Sequence, residues 1–157
     1  MALIEDNAEI RALCVAVLED AGFDCDAYDS ARASLVAAQG GSLAGIVLVD
    51  LELPGESSFD AIRALRALAP ASVFIALTAH AGDDWLFPAL KVGCAGYVLK
   101  SEAVHRLGEV LREIAGGGTP LSPPVARRLV TSFQAHTDDP LGLSARELEL
   151  ARSGLLP

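Results

Sequence analysis

Several polar side chains stand where an apolar run stops. Glu5-Asp6 follow Ala2-Leu3-Ile4, Asp50 follows Ile46-Val47-Leu48-Val49, Thr78 follows the run from Val73 to Leu77, and Lys100 follows Ala95 to Leu99. A single aspartate after a strand is commonly a turn residue or a helix cap. Three carboxylates, a hydroxyl and an ammonium brought to one place have a more specific chemistry. Three carboxylates together hold one another partly protonated unless a cation sits among them. Oxygen donors without His or Cys suit Mg²⁺, which keeps several waters and accepts a phosphate as a further ligand. A lysine opposite can pair with phosphoryl oxygens, and a threonine hydroxyl can donate to one. An aspartate beside the metal is a competent nucleophile toward phosphorus, forming an acyl phosphate. The set reads as a phosphoryl acceptor.

These side chains meet only if the strands carrying them lie side by side. The unbroken aliphatic runs are the pattern of strands buried on both faces. Between them, Ile10, Leu13, Cys14, Val17 and Leu18 recur at helical spacing, with Gly22 ending that helix. Phe23 to Tyr28 alternates as a strand with one face partly wet, and Ser30 caps a helix that Gly40-Gly41 stop. Phe59, Ile62, Leu65, Arg66 and Leu68 give a third helix closed by Pro70. A fourth is expected from Asp83 or Asp84 as cap to Gly93, and a fifth from Ser101 as cap, with Val104, Leu107, Val110, Leu111 and Ile114 inward. Five strands alternating with five helices predict an α/β fold: a three-layer, doubly wound (βα)5 sandwich with extra C-terminal helices. In the common strand order 2-1-3-4-5, the functional crevice lies beyond the carboxyl ends of the first and third strands. That edge collects Glu5, Asp6, Asp50, Thr78 and Lys100.

The 157 residues are 52% hydrophobic but only 5% aromatic, so the core must be aliphatic and alanine-rich. No run of 18 apolar residues occurs, and the first twenty residues carry five acids. A signal peptide and a membrane span are therefore not expected, and a cytoplasmic location is. Cys14, Cys25 and Cys94 lack metal-ligand spacing and read as buried thiols of a reducing compartment. The net charge is −9 and lies entirely within residues 1–118, which hold 17 acids against 8 Lys or Arg. Residues 119–157 balance 4 against 4, so neither part offers the basic surface that nucleic acid requires.

The segments LIEDN, VDLELPG, ALTAH and AGYVLK, in that order, resemble the receiver domain of bacterial two-component response regulators. The resemblance covers residues 2 to about 116. It implies a flavodoxin-like fold like that of the chemotaxis regulator, and a sensor histidine kinase as phosphoryl donor. By the same resemblance Asp50 is the phosphoacceptor, Asp6 a direct Mg²⁺ ligand, Glu5 a ligand through water, and the Glu52 backbone carbonyl a further ligand. Thr78 resembles the switch hydroxyl, Lys100 the phosphate-pairing lysine, and Tyr97 the aromatic switch, although a ring there could also be a partly buried edge residue. Glu52 and His80, two residues past Asp50 and Thr78, flank the phosphoryl group and are expected to set its lifetime. Two departures stand out: Glu56-Ser57-Ser58 replaces the usual Asp-Gly, and Pro88 falls inside or at the start of the fourth helix.

The tail resembles the same family's LuxR-type subfamily. LSPPVARRLV is similar to its linker helix and LSARELELA to the first helix of its helix-turn-helix. SGLLP then ends the sequence, so the effector reads as cut short. The expected organisation is a receiver over 1–118, a linker helix and linker over 119–140, and a first-helix remnant over 141–157. DNA is expected as a partner only if a complete helix-turn-helix follows residue 157. Output would otherwise run through protein contacts, most simply a homodimer. Two other readings are a pseudo-receiver that only binds protein and an aspartate-nucleophile phosphatase suggested by Asp50-Leu51-Glu52. The chain leaves no room for the cap domain that the phosphatase needs, and the full polar set argues against the pseudo-receiver. The protein is thus expected to be no turnover enzyme, but a phosphoacceptor that catalyses its own phosphorylation and dephosphorylation.

Overall fold

Five short strands pair in parallel, in the order β2-β1-β3-β4-β5, in a computed structural model that describes residues 1–118 except 44, 56 and 81, together with 126–131. The strands are β1 (Ala2–Ile4), β2 (Asp26–Tyr28), β3 (Ile46–Asp50), β4 (Val73–Thr78) and β5 (Gly96–Leu99). The helices between and after them are α1 (Ala8–Asp20), α2 (Ala31–Gln39), α3 (Ser58–Leu68), α4 (Asp83–Lys91) and α5 (Lys100–Ala115). The expected flavodoxin-like order is the observed one. Asp50 pairs in register with Leu77, and Thr78 with Leu99, so the polar strand ends fall on one edge.

Side chains alternate across the sheet. Leu3, Leu48, Ile75, Leu77 and Val98 pack with Cys14 and Leu18 of α1 and with Ala103, Leu107, Val110 and Leu111 of α5 in one core cluster. The intervening residues Val47, Val49, Phe74, Ala76 and Tyr97 are equally buried on the opposite face. A sheet covered on both faces explains why the central strands carry no polar side chain before their last residue.

Four local details differ from the sequence reading. β2 is only three residues, because Phe23 to Cys25 precede the parallel ladder with β1. α4 is capped by Gly82 with no side-chain hydrogen bond, rather than by Asp83 or Asp84, and Pro88 lies inside it. α5 starts at Lys100 with Leu99 at its cap position, so Ser101 is already helical. Leu13 and Val104, expected to face inward, are 48% and 43% exposed. Residues 126–131 are helical, within the expected linker helix. The rest of that helix and the expected helix near Ser144 to Ser153 lie outside the described residues.

One glycine is required for two reasons. Gly93 follows α4 with φ of +103°, and a Cβ there would stand 2.2 Å from Nη1 of Arg66. That same nitrogen donates to the Val92 carbonyl at 2.6 Å, tying α3 to the end of α4. Gly93→Ala therefore combines a left-handed backbone penalty with loss of the Arg66 tie, a destabilisation of about 1–3 kcal/mol. Urea unfolding of the two proteins measures it, and equal midpoints would show that Arg66 moves aside at no cost.

Candidate functional site

At the carboxyl ends of β1 and β3, Glu5, Asp6 and Asp50 each offer a carboxylate oxygen within 4.8 Å of the others. Glu5 and Asp50 are buried, whereas Asp6 sits exposed at the rim. Local hydrogen bonds fix both buried groups. The Asn7 N–H donates to Glu5 Oε1 at 3.1 Å, and the Glu52 N–H donates to Asp50 Oδ1 at 2.9 Å. Lys100, at the end of β5, places Nζ 3.1 Å from Glu5 Oε2 and 3.2 Å from Asp50 Oδ2. Among the described residues, the Lys100 ammonium is the ion-pair partner of both buried oxygens. Two buried carboxylates thus share one ammonium, an excess of negative charge that a bound cation would offset.

The electrostatics follow from that crowding. Burial pushes the Glu5 carboxyl up to about 7, opposed by the Asn7 N–H and reinforced by the Asp50 charge. Burial also raises Asp50, against the Glu52 N–H and Lys100. For Lys100, burial alone favours the neutral amine, but the Glu5 and Asp50 carboxylates outweigh it and hold the ammonium charged.

The sign of the pH dependence is fixed by these directions. Between its ordinary value of 4.5 and about 7, Glu5 stays protonated in the folded chain and is ionised in the unfolded one. Its contribution to stability is therefore complete below 4.5 and lost as pH rises through about 7. Asp50 adds to the loss with the same sign. Without metal, melting temperature should fall from pH 5 to pH 7.5, by on the order of 1–3 kcal/mol in stability, and Glu5→Gln should flatten the slope. Calorimetry in EDTA reads this directly, and a wild-type slope in Glu5→Gln would count against the assignment to Glu5.

Beside the carboxylates, His80 joins four groups. Its N–H donates to Thr78 Oγ1 at 3.1 Å, and its carbonyl accepts from the Tyr97 hydroxyl at 2.5 Å. Its Nε2 pairs with Glu52 Oε1, and its ring stacks on Trp85 at 4.8 Å between centroids. Thr78 and Tyr97 are both fully buried. Burial pushes the Tyr97 phenol up to about 12, eased by the neighbouring Thr78 hydroxyl.

The fold thus brings Glu5, Asp6, Asp50 and Lys100 into direct contact range, and Glu52, Thr78 and Tyr97 together through His80. Sequence reasoning missed three supporting residues. Buried Ser58 donates to the Asp50 carbonyl at 2.9 Å and accepts from the Leu53 N–H at 3.4 Å, shaping the loop where Asp-Gly is usual. Arg11 donates to the carbonyls of Glu5 and Asp6 at 3.0 and 3.2 Å. Trp85 is the third. Ser57, not Ser58, caps α3, and nothing in two adjacent serines says which will turn inward.

The donor set fits a hard divalent cation: carboxylates only, converging, with two buried carboxylates sharing one ammonium. An acidic pocket of this kind is general to the family identified next.

Residues 1–112 match the response regulator receiver domain family. The response regulator GacA of Pseudomonas protegens is 32% identical over 108 residues, covering 68% of this chain and 51% of its own. The oxygen regulatory protein NreC of Staphylococcus carnosus is 31% identical over 114 residues, covering 67% and 52%. The crystal structure of a LuxR-family two-component response regulator from Aurantimonas sp. SI85-9A1 is 26% identical with a TM-score of 0.76, covering 83% of this chain and 94% of that one. This chain spans about half the length of the two curated relatives. With strand order, edge chemistry and sequence in agreement, the chain belongs to the response regulator receiver domain family.

Proposed function

We propose that Asp50 accepts a phosphoryl group from a phosphohistidine of a sensor kinase, with Mg²⁺ held by Asp6, Asp50, Glu5 through water, and the Glu52 carbonyl. Receiver domains are signalling phosphoacceptors of two-component systems, partnered by histidine kinases, and the chain's role in a phosphorelay follows from that membership. The observation that carries the site assignment is the pair of buried carboxylates, Asp50 and Glu5, whose Oδ2 and Oε2 share the Lys100 ammonium at 3.2 and 3.1 Å beside Asp6.

In the transfer, an Asp50 carboxylate oxygen bonds to phosphorus as the phosphorus–nitrogen bond breaks. The departing imidazole nitrogen keeps the electron pair and takes its proton from solvent. The Glu52 N–H holds the carboxylate in place throughout. Mg²⁺, when bound, supplies positive charge against the phosphoryl oxygens. Lys100 then exchanges its carboxylate partner on Asp50 for a phosphoryl oxygen, and the Thr78 hydroxyl donates to another. Because Thr78 and Tyr97 share His80, a shift at Thr78 is passed to the buried ring. Loss of the phosphoryl group by attack of water regenerates Asp50, so the domain catalyses only its own modification.

Output beyond residue 118 follows the LuxR-type likeness: a linker helix leading to an effector, with a homodimer as the simplest intermediate. Treatment with acetyl phosphate or phosphoramidate and Mg²⁺, followed by intact-mass measurement, tests the reading. A stable adduct that EDTA prevents is expected. Phosphate release with no adduct accumulating would instead indicate a phosphatase, and no reaction a pseudo-receiver.

A further inference from the structure

We infer that Trp85 is a positioning residue for the acyl phosphate. It holds His80 against Glu52, keeps the Glu52 carboxylate from assisting water, and ties the start of α4 to the phosphoryl pocket. The inference rests on Asp50 as phosphoacceptor and adds a regulator of its lifetime on a different helix.

The contacts form a continuous train. Glu52 is bound through its N–H to Asp50 Oδ1, so the origin of its side chain is fixed two residues from the reacting oxygen. Its carboxylate is held by His80 Nε2. The imidazole lies nearly parallel to the Trp85 indole, 11° between planes, and the indole meets Phe59 of α3 at 6.4 Å and 41°. Glu52 and His80 are 36% and 44% exposed, so the pair alone would be a weak surface contact. The stack restricts the imidazole to one plane and makes the contact persistent. Trp85 lies in the first turn of α4, where Gly82 supplies no side-chain cap. Arg66 ties the other end of that helix.

The direction of the effect follows. In hydrolysis, a water oxygen bonds to phosphorus, the bond to the Asp50 oxygen breaks with its electron pair on the carboxylate, and a proton passes to solvent. A Glu52 carboxylate released from His80 can orient that water and accept its proton. Weakening the stack therefore shortens the acyl-phosphate lifetime, and it does so through Glu52.

The test follows decay of the Mg²⁺-dependent phosphoryl adduct in wild type, Trp85→Leu, Trp85→Phe and Trp85→Leu/Glu52→Ala. Trp85→Leu should label as wild type does and decay about two- to tenfold faster, whereas Trp85→Phe keeps a stacking ring and should stay near wild type. The double variant should lose the acceleration, which a general loosening of the fold would not. Trp85 is the only tryptophan, so its fluorescence should also change when Mg²⁺ and beryllofluoride are added, and the change should vanish in His80→Ala. Unaltered decay in Trp85→Leu overturns the inference, as does acceleration that persists without Glu52. Absence of any adduct in wild type instead defeats the reading of Asp50, before a variant is made.

Discussion

Asp50→Asn is expected to reduce Mg²⁺-dependent phosphoryl incorporation to background while leaving the fold intact. The amide retains an oxygen to accept the Glu52 N–H, so the turn after β3 keeps its local hydrogen bond. It lacks the negative oxygen that attacks phosphorus, and an amide is a poor nucleophile and a weaker ligand for a hard cation. Glu5, Asp6 and Lys100 remain, so any incorporation that persisted would have to use another acceptor. Peptide mapping of the phosphorylated chain decides this, and full incorporation in Asp50→Asn would sink the assignment. The metal-free variant should also gain stability at pH 7.5, by about 1 kcal/mol, because one of two crowded buried carboxylates loses its charge. A clear fall in melting temperature would mean that Asp50 serves the fold as a turn residue, the bland reading of an aspartate after a strand.

The parts of this site legible in the sequence are those set by strand ends. An unbroken run such as Ile46 to Val49 must be buried on both faces, and its last residue must emerge at the sheet edge. Parallel topology then does the rest, since every strand points the same way and its carboxyl end reaches the same crevice. That is why Glu5, Asp50 and Lys100 could be brought together from the chain alone. Helix starts were less legible because neither α4 nor α5 uses a side-chain cap, so no capping residue marks its first turn. Around α4 the candidates Asp83 and Asp84 lose to Gly82, and at α5 the helix begins before Ser101 because Lys100 is already in helical geometry. Leu13 and Val104 fit a helical period yet stand exposed, since periodicity gives a stripe and not its edge. Ser58 and Trp85 lie only a few residues past Asp50 and His80, but on the helix that follows, and reach back to them through contacts with no periodicity and no fixed spacing. Only the packed structure joins them to Asp50 and His80.

Lys100→Ala is expected to separate phosphorylation from its consequence. The nucleophile and the carboxylates that would hold Mg²⁺ are untouched, so the adduct should still form, though more slowly. What is lost is the cation that can leave the carboxylates for a phosphoryl oxygen and report that exchange to Thr78. Phosphorylated Lys100→Ala should therefore lack the change in Trp85 fluorescence that wild type shows. Before phosphorylation the variant carries a second signature. Removing the ammonium leaves Glu5 Oε2 and Asp50 Oδ2 buried with neither a counter-ion nor a donor. At pH 7.5 in EDTA that should cost about 2–4 kcal/mol, the penalty of a buried pair broken on one side. At pH 5 the cost should shrink, because Glu5 is protonated below about 7 and no longer needs a cation. Mg²⁺ should restore part of the loss at pH 7.5 by binding the folded state alone. Denaturant titrations at the two pH values, with and without Mg²⁺, read each of these effects separately. A variant matching wild type in stability, in metal response and in phosphate-induced fluorescence would reduce Lys100 to a surface charge.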